Sequence, residues 1–235
     1  VNTLQQNEEW FQARRGKFTG SNFKYLIGGG KNSSTTDLNK PWGDYTSKTV
    51  KGNTTHYFKP WFGDTGMAYI RKVVAERMGS YEIPTTNSAC KWGNEKEPDA
   101  INQYEYDTGY TVEESGFVLH EEYDFAGCSV DGLIVGESGI IEVKSPYNPA
   151  NFIRYATDLS YIEKEHKAQI QGNMWVMESD FCDFIAFDPR NEIKIFIHRF
   201  GRDEEYIKKL EDRVVLANQI AEEMYSDIIH PNVEF

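Results

Sequence analysis

"GCSVDGLIVGESGIIEVKSP", residues 127–146, sets Asp131, Glu142 and Lys144 among small and apolar residues. It reads as one β-hairpin: a strand through Asp131, a turn over Gly136–Gly139, and a second apolar run, Ile140-Ile141-Glu142-Val143-Lys144. Successive strand residues face opposite sides, so Glu142 and Lys144 share one face and Ile141 and Val143 the other. A surface ion pair accounts for that spacing and contributes little. The same residues also spell D-x(10)-E-x-K. In that pattern Asp131 and Glu142 offer hard oxygens to a divalent cation such as Mg²⁺, and the Val143 carbonyl can complete the shell. Lys144 then reaches an attacking water, to orient or deprotonate it, with burial and a nearby cation lowering its pKa. The pattern alone occurs by chance in many chains, so the rest of the sequence has to decide.

Hydrophobic content of 39% and charged content of 26% over 235 residues fit one globular unit with a sizeable core. No run approaches the roughly 18 apolar residues of a membrane span, and no basic-then-apolar leader opens the sequence. Cys90, Cys128 and Cys182 are far apart, which gives neither a disulfide framework nor a zinc cluster. A reducing, cytoplasmic location is therefore expected. The net charge of −12 weighs against a nucleic-acid partner, since phosphate binding relies on Lys and Arg. Its distribution softens that, because residues 1–60 carry +5 and the remainder −17. A basic N-terminal portion on an acidic body can still present one positive groove.

Residues 5–27 predict a short helix, a turn at Gly16 and a second helix opening near Thr19–Ser21. Residues 31–63 are rich in Gly, Ser and Thr yet hold Trp42, Tyr45, Tyr57, Phe58, Trp61 and Phe62, which predicts an ordered insertion or lid with its own small core. Periodicity predicts helices through Met67–Met78, from Asn94, over 160–178 and at the C-terminus, where Ile207, Leu210, Val214, Ala217, Ala221, Met224 and Ile228 form a stripe. Strands are expected at 110–119, 124–135, 139–145, 181–187 and 192–200. This order implies an α/β fold around a central mixed sheet flanked by helices.

Three more segments carry candidate chemistry. "WGNEKEPDAI", residues 92–101, puts Glu97 at a helix start, suited to a second cation or its water, although Asn94 and Glu97 also fit a capping box. "HKAQIQGNMWV", residues 166–176, sets Gln169 on a helix among apolar neighbours, where a buried amide needs partners. "EWFQARRGKFTGSNF", residues 9–23, supplies Arg14 and Ser21, a guanidinium and a hydroxyl suited to a phosphate. Gly28-Gly29-Gly30-Lys31 lacks the frame of a phosphate loop and reads as a loop after Leu26.

Together these segments, with "FDPR" at 187–190, resemble the phage lambda-type exonuclease (YqaJ-like viral recombinase) family of the PD-(D/E)XK nuclease superfamily, in family order from about residue 8 to 190. The resemblance implies a restriction-endonuclease-like core spanning 1–235 as a single nuclease domain. It implies Asp131 and Glu142 as metal ligands, Lys144 at the nucleophile and Glu97 at a second metal, with Mg²⁺ as the ion, two at a time, and Mn²⁺ able to substitute. Arg14, Ser21, Ser129 and Gln169 match positions that grip a terminal 5′-phosphate. Val130 stands where the family usually has Pro, and Ser145 where Cys is common. The implied activity is 5′-to-3′ digestion of double-stranded DNA ends, leaving 3′ single strands for recombination by annealing. A single-strand annealing protein is the implied partner, a homotrimeric ring the assembly, and a phage or prophage the origin. An endonuclease on the same fold keeps the acids and lysine but needs no end pocket. A catalytically silent DNA-end binding module would not need the intact acid–acid–lysine set, and a glycosidase leaves Lys144 unexplained.

Overall fold

Within residues 127–146, the hairpin of residues 132–144 lies in a five-stranded mixed sheet. The computed structural model describes residues 5, 7–28, 33–35, 45–58, 62–80 and 87–230. In chain order these form α1 (Glu8–Arg14), β1 (Phe18–Thr19), a 3₁₀ turn (Gly20–Asn22), α2 (Lys24–Ile27), β2 (Ser33–Thr35), β3 (Tyr45–Val50), β4 (Asn53–Phe58), α3 (Asp64–Arg77) and α4 (Ser88–Thr108). They continue as β5 (Val112–Glu113), β6 (Val118–Leu119), β7 (Ala126–Cys128), β8 (Gly132–Ile134), β9 (Gly139–Lys144), α5 (Pro149–Thr157), α6 (Leu159–Met177), β10 (Phe181–Phe187), β11 (Ile195–Gly201) and α7 (Glu204–Ile229).

The main sheet has the order β11-β10-β9-β8-β5. β8 and β9 are antiparallel, and Gly136, left-handed at φ 82°, lies in the turn between them. β9 and β10 are parallel, and the crossover that parallel strands require is supplied by α5 and α6. A smaller sheet, β1-β7-β6, lies beside it. The expected strand 124–135 is split at Ser129–Asp131, which carries the chain from the small sheet into the large one. Two side chains replace strand pairing at that break. The Asp131 carboxylate accepts from the Val143 N–H at 2.6 Å, and Gln5 Nε2 donates to the Val130 carbonyl at 2.7 Å. The expected strand 110–119 is likewise two short strands, β5 and β6, in different sheets.

The alternation read from β9 sorts its side chains into two cores. Ile141 and Val143 pack with Ala100, Tyr104, Ile185 and Phe187 under α4. Ile140 packs with Cys182, Phe184 and the larger core of α2, α3, α6 and α7. The α7 stripe is buried from Ile207 to Ala221, while Ile228 is exposed; Ile193 is also exposed and lies before β11.

The helix expected from Asn94 begins six residues earlier, at Ser88. The Asn87 side chain caps it, accepting from Cys90 N at 2.9 Å, so Asn94 and Glu97 are interior positions and form no capping box. Pro98 then falls inside the helix, where its ring cannot donate the helical bond. Within 31–63, β2, β4 and β3 form an antiparallel sheet turning at Lys51 and Gly52. Phe62 belongs to the main core, not to a separate one. The remaining aromatics proposed for a local core, Trp42, Tyr45, Tyr57, Phe58 and Trp61, have side chains outside the described residues.

Candidate active site

The sheet brings Asp131, Glu142 and Lys144 together. Glu142 lies on the buried middle strand at 1% exposure, so its pairing with Lys144 is not the surface ion pair that the spacing also allowed. Lys144 Nζ donates to Glu142 Oε1, and Asn173 Nδ2 donates to Glu142 Oε2 at 3.1 Å. Burial raises the Glu142 pKa to about 7, with Asp131 adding to the rise and Lys144 opposing it. Burial likewise raises Asp131, against the pull of Lys144 and the Val143 N–H. Lys144, expected to be lowered by burial and a nearby cation, lies here beside two acids with no cation between them. Burial acts to lower it, but Glu142 and Asp131 together outweigh that effect and hold the ammonium above its usual range. Beside these acids and without a cation, Lys144 is a charged donor.

Glu97 reaches the same place from α4. It and Asp131 both line a cavity of about 350 Å³ walled also by Gln5, Asn94 and Glu114. Burial, then the Asp131 charge, raises Glu97 to about 8. Among the described residues no three His, Cys, Asp or Glu side chains are gathered closely enough to enclose a metal ion. The donor chemistry nonetheless fits a hard divalent cation. Asp131 and Glu142 each raise the Glu97 pKa, and Asp131 raises that of Glu142, which is mutual repulsion that a cation relieves. Asp131, Glu142, Glu97 and the Val143 carbonyl are the oxygens available to hold it.

Three of the four expected phosphate-binding residues also converge. Arg14, on the last turn of α1, donates to Ser129 Oγ at 3.0 Å and to Ser21 Oγ at 3.3 Å. Trp10 Nε1 donates to the same Ser129 oxygen at 2.8 Å, and the Arg14 guanidinium lies 4.2 Å from the Trp10 ring centroid. Burial lowers the Arg14 pKa from its ordinary value. Gln169 is half-buried on α6; the buried amides of that helix are Gln171 and Asn173. Gln171 is structural, bonding the Gly201 carbonyl and the Asp203 N–H.

No role is legible in the sequence for His166 or Arg190, whereas Tyr147, Asn148 and Phe152 read there equally as DNA contacts or as packing. His166 faces Tyr155, whose hydroxyl lies 3.1 Å from Nε2, and burial with Lys144 nearby lowers the imidazole to about 3, keeping it neutral. Arg190 of the FDPR segment clasps buried Asp188 through two 2.7 Å bonds and donates to the Pro146 and Tyr147 carbonyls, which pins the loop after Lys144. In that loop Asn148 caps α5, and Phe152 is core, while Tyr147 is exposed.

The five-stranded mixed sheet with helices on both faces and acids at its strand break is the restriction-endonuclease-like fold of nucleases. Residues 9–180 match the YqaJ-like viral recombinase domain, and the chain belongs to that family. It is a nuclease, a hydrolase acting on DNA. The structure is similar to that of an alkaline exonuclease, LHK-Exo, from Laribacter hongkongensis, with 25% identity, TM-score 0.73, and 94% of this chain and 96% of that one covered. The same enzyme in complex with dAMP aligns at 27% identity and TM-score 0.74 with the same coverage. A phage-related exonuclease from Haemophilus somnus 129PT shares the fold at 19% identity and TM-score 0.66, covering 90% of this chain and 96% of that one. No curated protein gives a significant match. Among the described residues no helix is long and apolar enough to cross a membrane.

Proposed function

We propose that this nuclease is a Mg²⁺-dependent 5′-to-3′ exodeoxyribonuclease that enters duplex DNA at a 5′-phosphorylated end and leaves a 3′ single strand. The observation that carries the reading is the junction at Ser129–Asp131. Ser129 receives Arg14, and Asp131, two residues on, belongs to the acid cluster. Two residues of chain span at most about 7 Å, so the phosphate grip and the acids stay close to one another. A phosphate gripped by Arg14, Ser21 and Ser129 therefore sets the next phosphodiester near the acids. An alkaline exonuclease that this chain resembles has also been solved with dAMP, a deoxynucleoside monophosphate of the class such digestion releases.

Asp131, Glu142, Glu97 and the Val143 carbonyl would hold two Mg²⁺ ions, or Mn²⁺ in their place. Bound there, the ions supply Lewis acidity to the scissile phosphate and lower the pKa of water. Lys144, charged and 27% exposed, orients the attacking water and offsets charge that develops on the phosphate. The 3′ strand produced suits a single-strand annealing protein, and a ring of three chains around the duplex suits continued digestion. A linear duplex and a closed circle of the same sequence, each incubated with Mg²⁺ and with chelator, test the reading. Degradation of the linear form alone, and only with Mg²⁺, is expected. Equal cutting of the circle would make the enzyme an endonuclease.

A further inference from the structure

We infer that Asn173 is a positioning residue that holds the Glu142 carboxylate in the orientation needed for cation binding, an inference resting on the nuclease reading above. Glu142 Oε1 takes the Lys144 ammonium and Oε2 takes Asn173 Nδ2 at 3.1 Å. With one donor on each oxygen the carboxylate plane cannot rotate, and each oxygen keeps a lone pair for a cation. Lys144 is partly exposed and flexible. Asn173, at 1% exposure on the inner face of α6, is the rigid member of the pair.

The other end of the same amide shows what it is kept for. An ionised carboxylate only accepts, so the NH₂ group must face Glu142, and Oδ1 points away. There it is buried with no hydrogen-bond partner among the described residues. An unpaired buried carbonyl destabilises the fold, and an apolar side chain of similar size would avoid that cost. The fold also gives up a side chain at residue 20 to admit the amide. A Cβ on Gly20 would lie 2.2 Å from Asn173 Oδ1 and 3.2 Å from the Cys128 Cβ. A residue serving only to fill the core would carry neither penalty. Among the described residues its side chain makes its polar contact with Glu142, and groups that orient a metal ligand commonly change metal affinity by about 10–100-fold.

The experiment is a double-mutant cycle on Mn²⁺ binding without DNA, read by electron paramagnetic resonance, with wild type, Asn173→Leu, Glu142→Gln and the double variant. Asn173→Leu keeps the branching at Cγ and removes both polar ends of the amide, and Asn173→Ala serves as the second variant if the bulkier leucine does not fit against Gly20. Either is expected to weaken Mn²⁺ about tenfold in the wild-type background and less than about twofold beside Glu142→Gln, with thermal melting in chelator confirming the fold. Wild-type affinity in both Asn173 variants, or an equal loss in the two backgrounds, overturns the inference and leaves the nuclease reading intact. A wild-type protein that binds no Mn²⁺ overturns that reading and the inference with it.

Discussion

Arg14 donates to the Ser129 hydroxyl at 3.0 Å, joining the N-terminal helix to the strand break that also presents Asp131. Because Trp10 donates to the same oxygen, both lone pairs of Ser129 are engaged and its own proton is directed outward as a donor. Arg14 keeps unused guanidinium hydrogens beside it. Among the described residues the cluster is thus a set of donors without an ion-paired carboxylate, and a phosphate supplies the matching charge.

Lys144→Ala should separate binding from cleavage. The ammonium contacts Glu142 and is held charged by Glu142 and Asp131, so its loss removes charge stabilisation and leaves the ligand oxygens in place. Cleavage in Mg²⁺ is expected to fall by about 10²-fold or more, while duplex binding in Ca²⁺, which is larger and looser in coordination, stays near wild type. Near-wild-type cleavage would return the Glu142–Lys144 pair to a structural role.

The raised carboxyl groups set a pH window for the metal-free protein. Glu97 is lifted from 4.5 to about 8 and Glu142 from 4.5 to about 7, so between pH 4.5 and 8 the folded chain binds more protons than the unfolded one. Stability in chelator should therefore fall as pH rises through that window. Mn²⁺ replaces the shared protons, so its stabilisation should be larger at pH 8 than at pH 5.5, with proton release on binding. Thermal melts at the two pH values, with and without Mn²⁺, measure both effects. A metal-induced shift that is larger at pH 5.5 would contradict the assignment of these acids.

A buried network anchors the helix that carries Glu97. Asp183, at 2% exposure on β10, accepts from the Tyr104 hydroxyl at 2.7 Å and from Arg199 through two 2.7 Å bonds. Tyr104 lies two helical turns beyond Glu97 on α4. Tyr104→Phe removes one hydrogen bond to a charged acceptor, worth about 1.5–3 kcal/mol, and should lower Tm by roughly 3–10 °C. An unchanged Tm would mean that Arg199 alone satisfies Asp183.

The acids and lysine were legible because strand alternation is a local rule: Glu142, Lys144 and their apolar neighbours declare both faces of β9 within six residues. The Arg14–Ser129 contact spans 115 positions and has no local signature, so only the likeness to a known family pointed to it. The start of α4 was misread because Asn94 and Glu97 imitate a capping box, whereas the stabilising cap comes from Asn87. Asn173 was passed over for Gln169 although both lie on α6. His166, Ile170 and Asn173 follow one another at four- and three-residue steps, and that inward face, continued from buried Ile162, was the available signal.

The most direct test of end-directed digestion compares wild type and Arg14→Ala on linear duplexes bearing either a 5′-phosphate or a 5′-hydroxyl. A terminal phosphomonoester carries more charge than an internal diester, so only the phosphorylated end fills the cluster. Losing a charged hydrogen bond of about 1.5–3 kcal/mol should slow digestion of that substrate about tenfold or more, and leave the hydroxyl end nearly unchanged. Equal slowing on both ends would contradict the account and make Arg14 a general backbone contact or a structural residue.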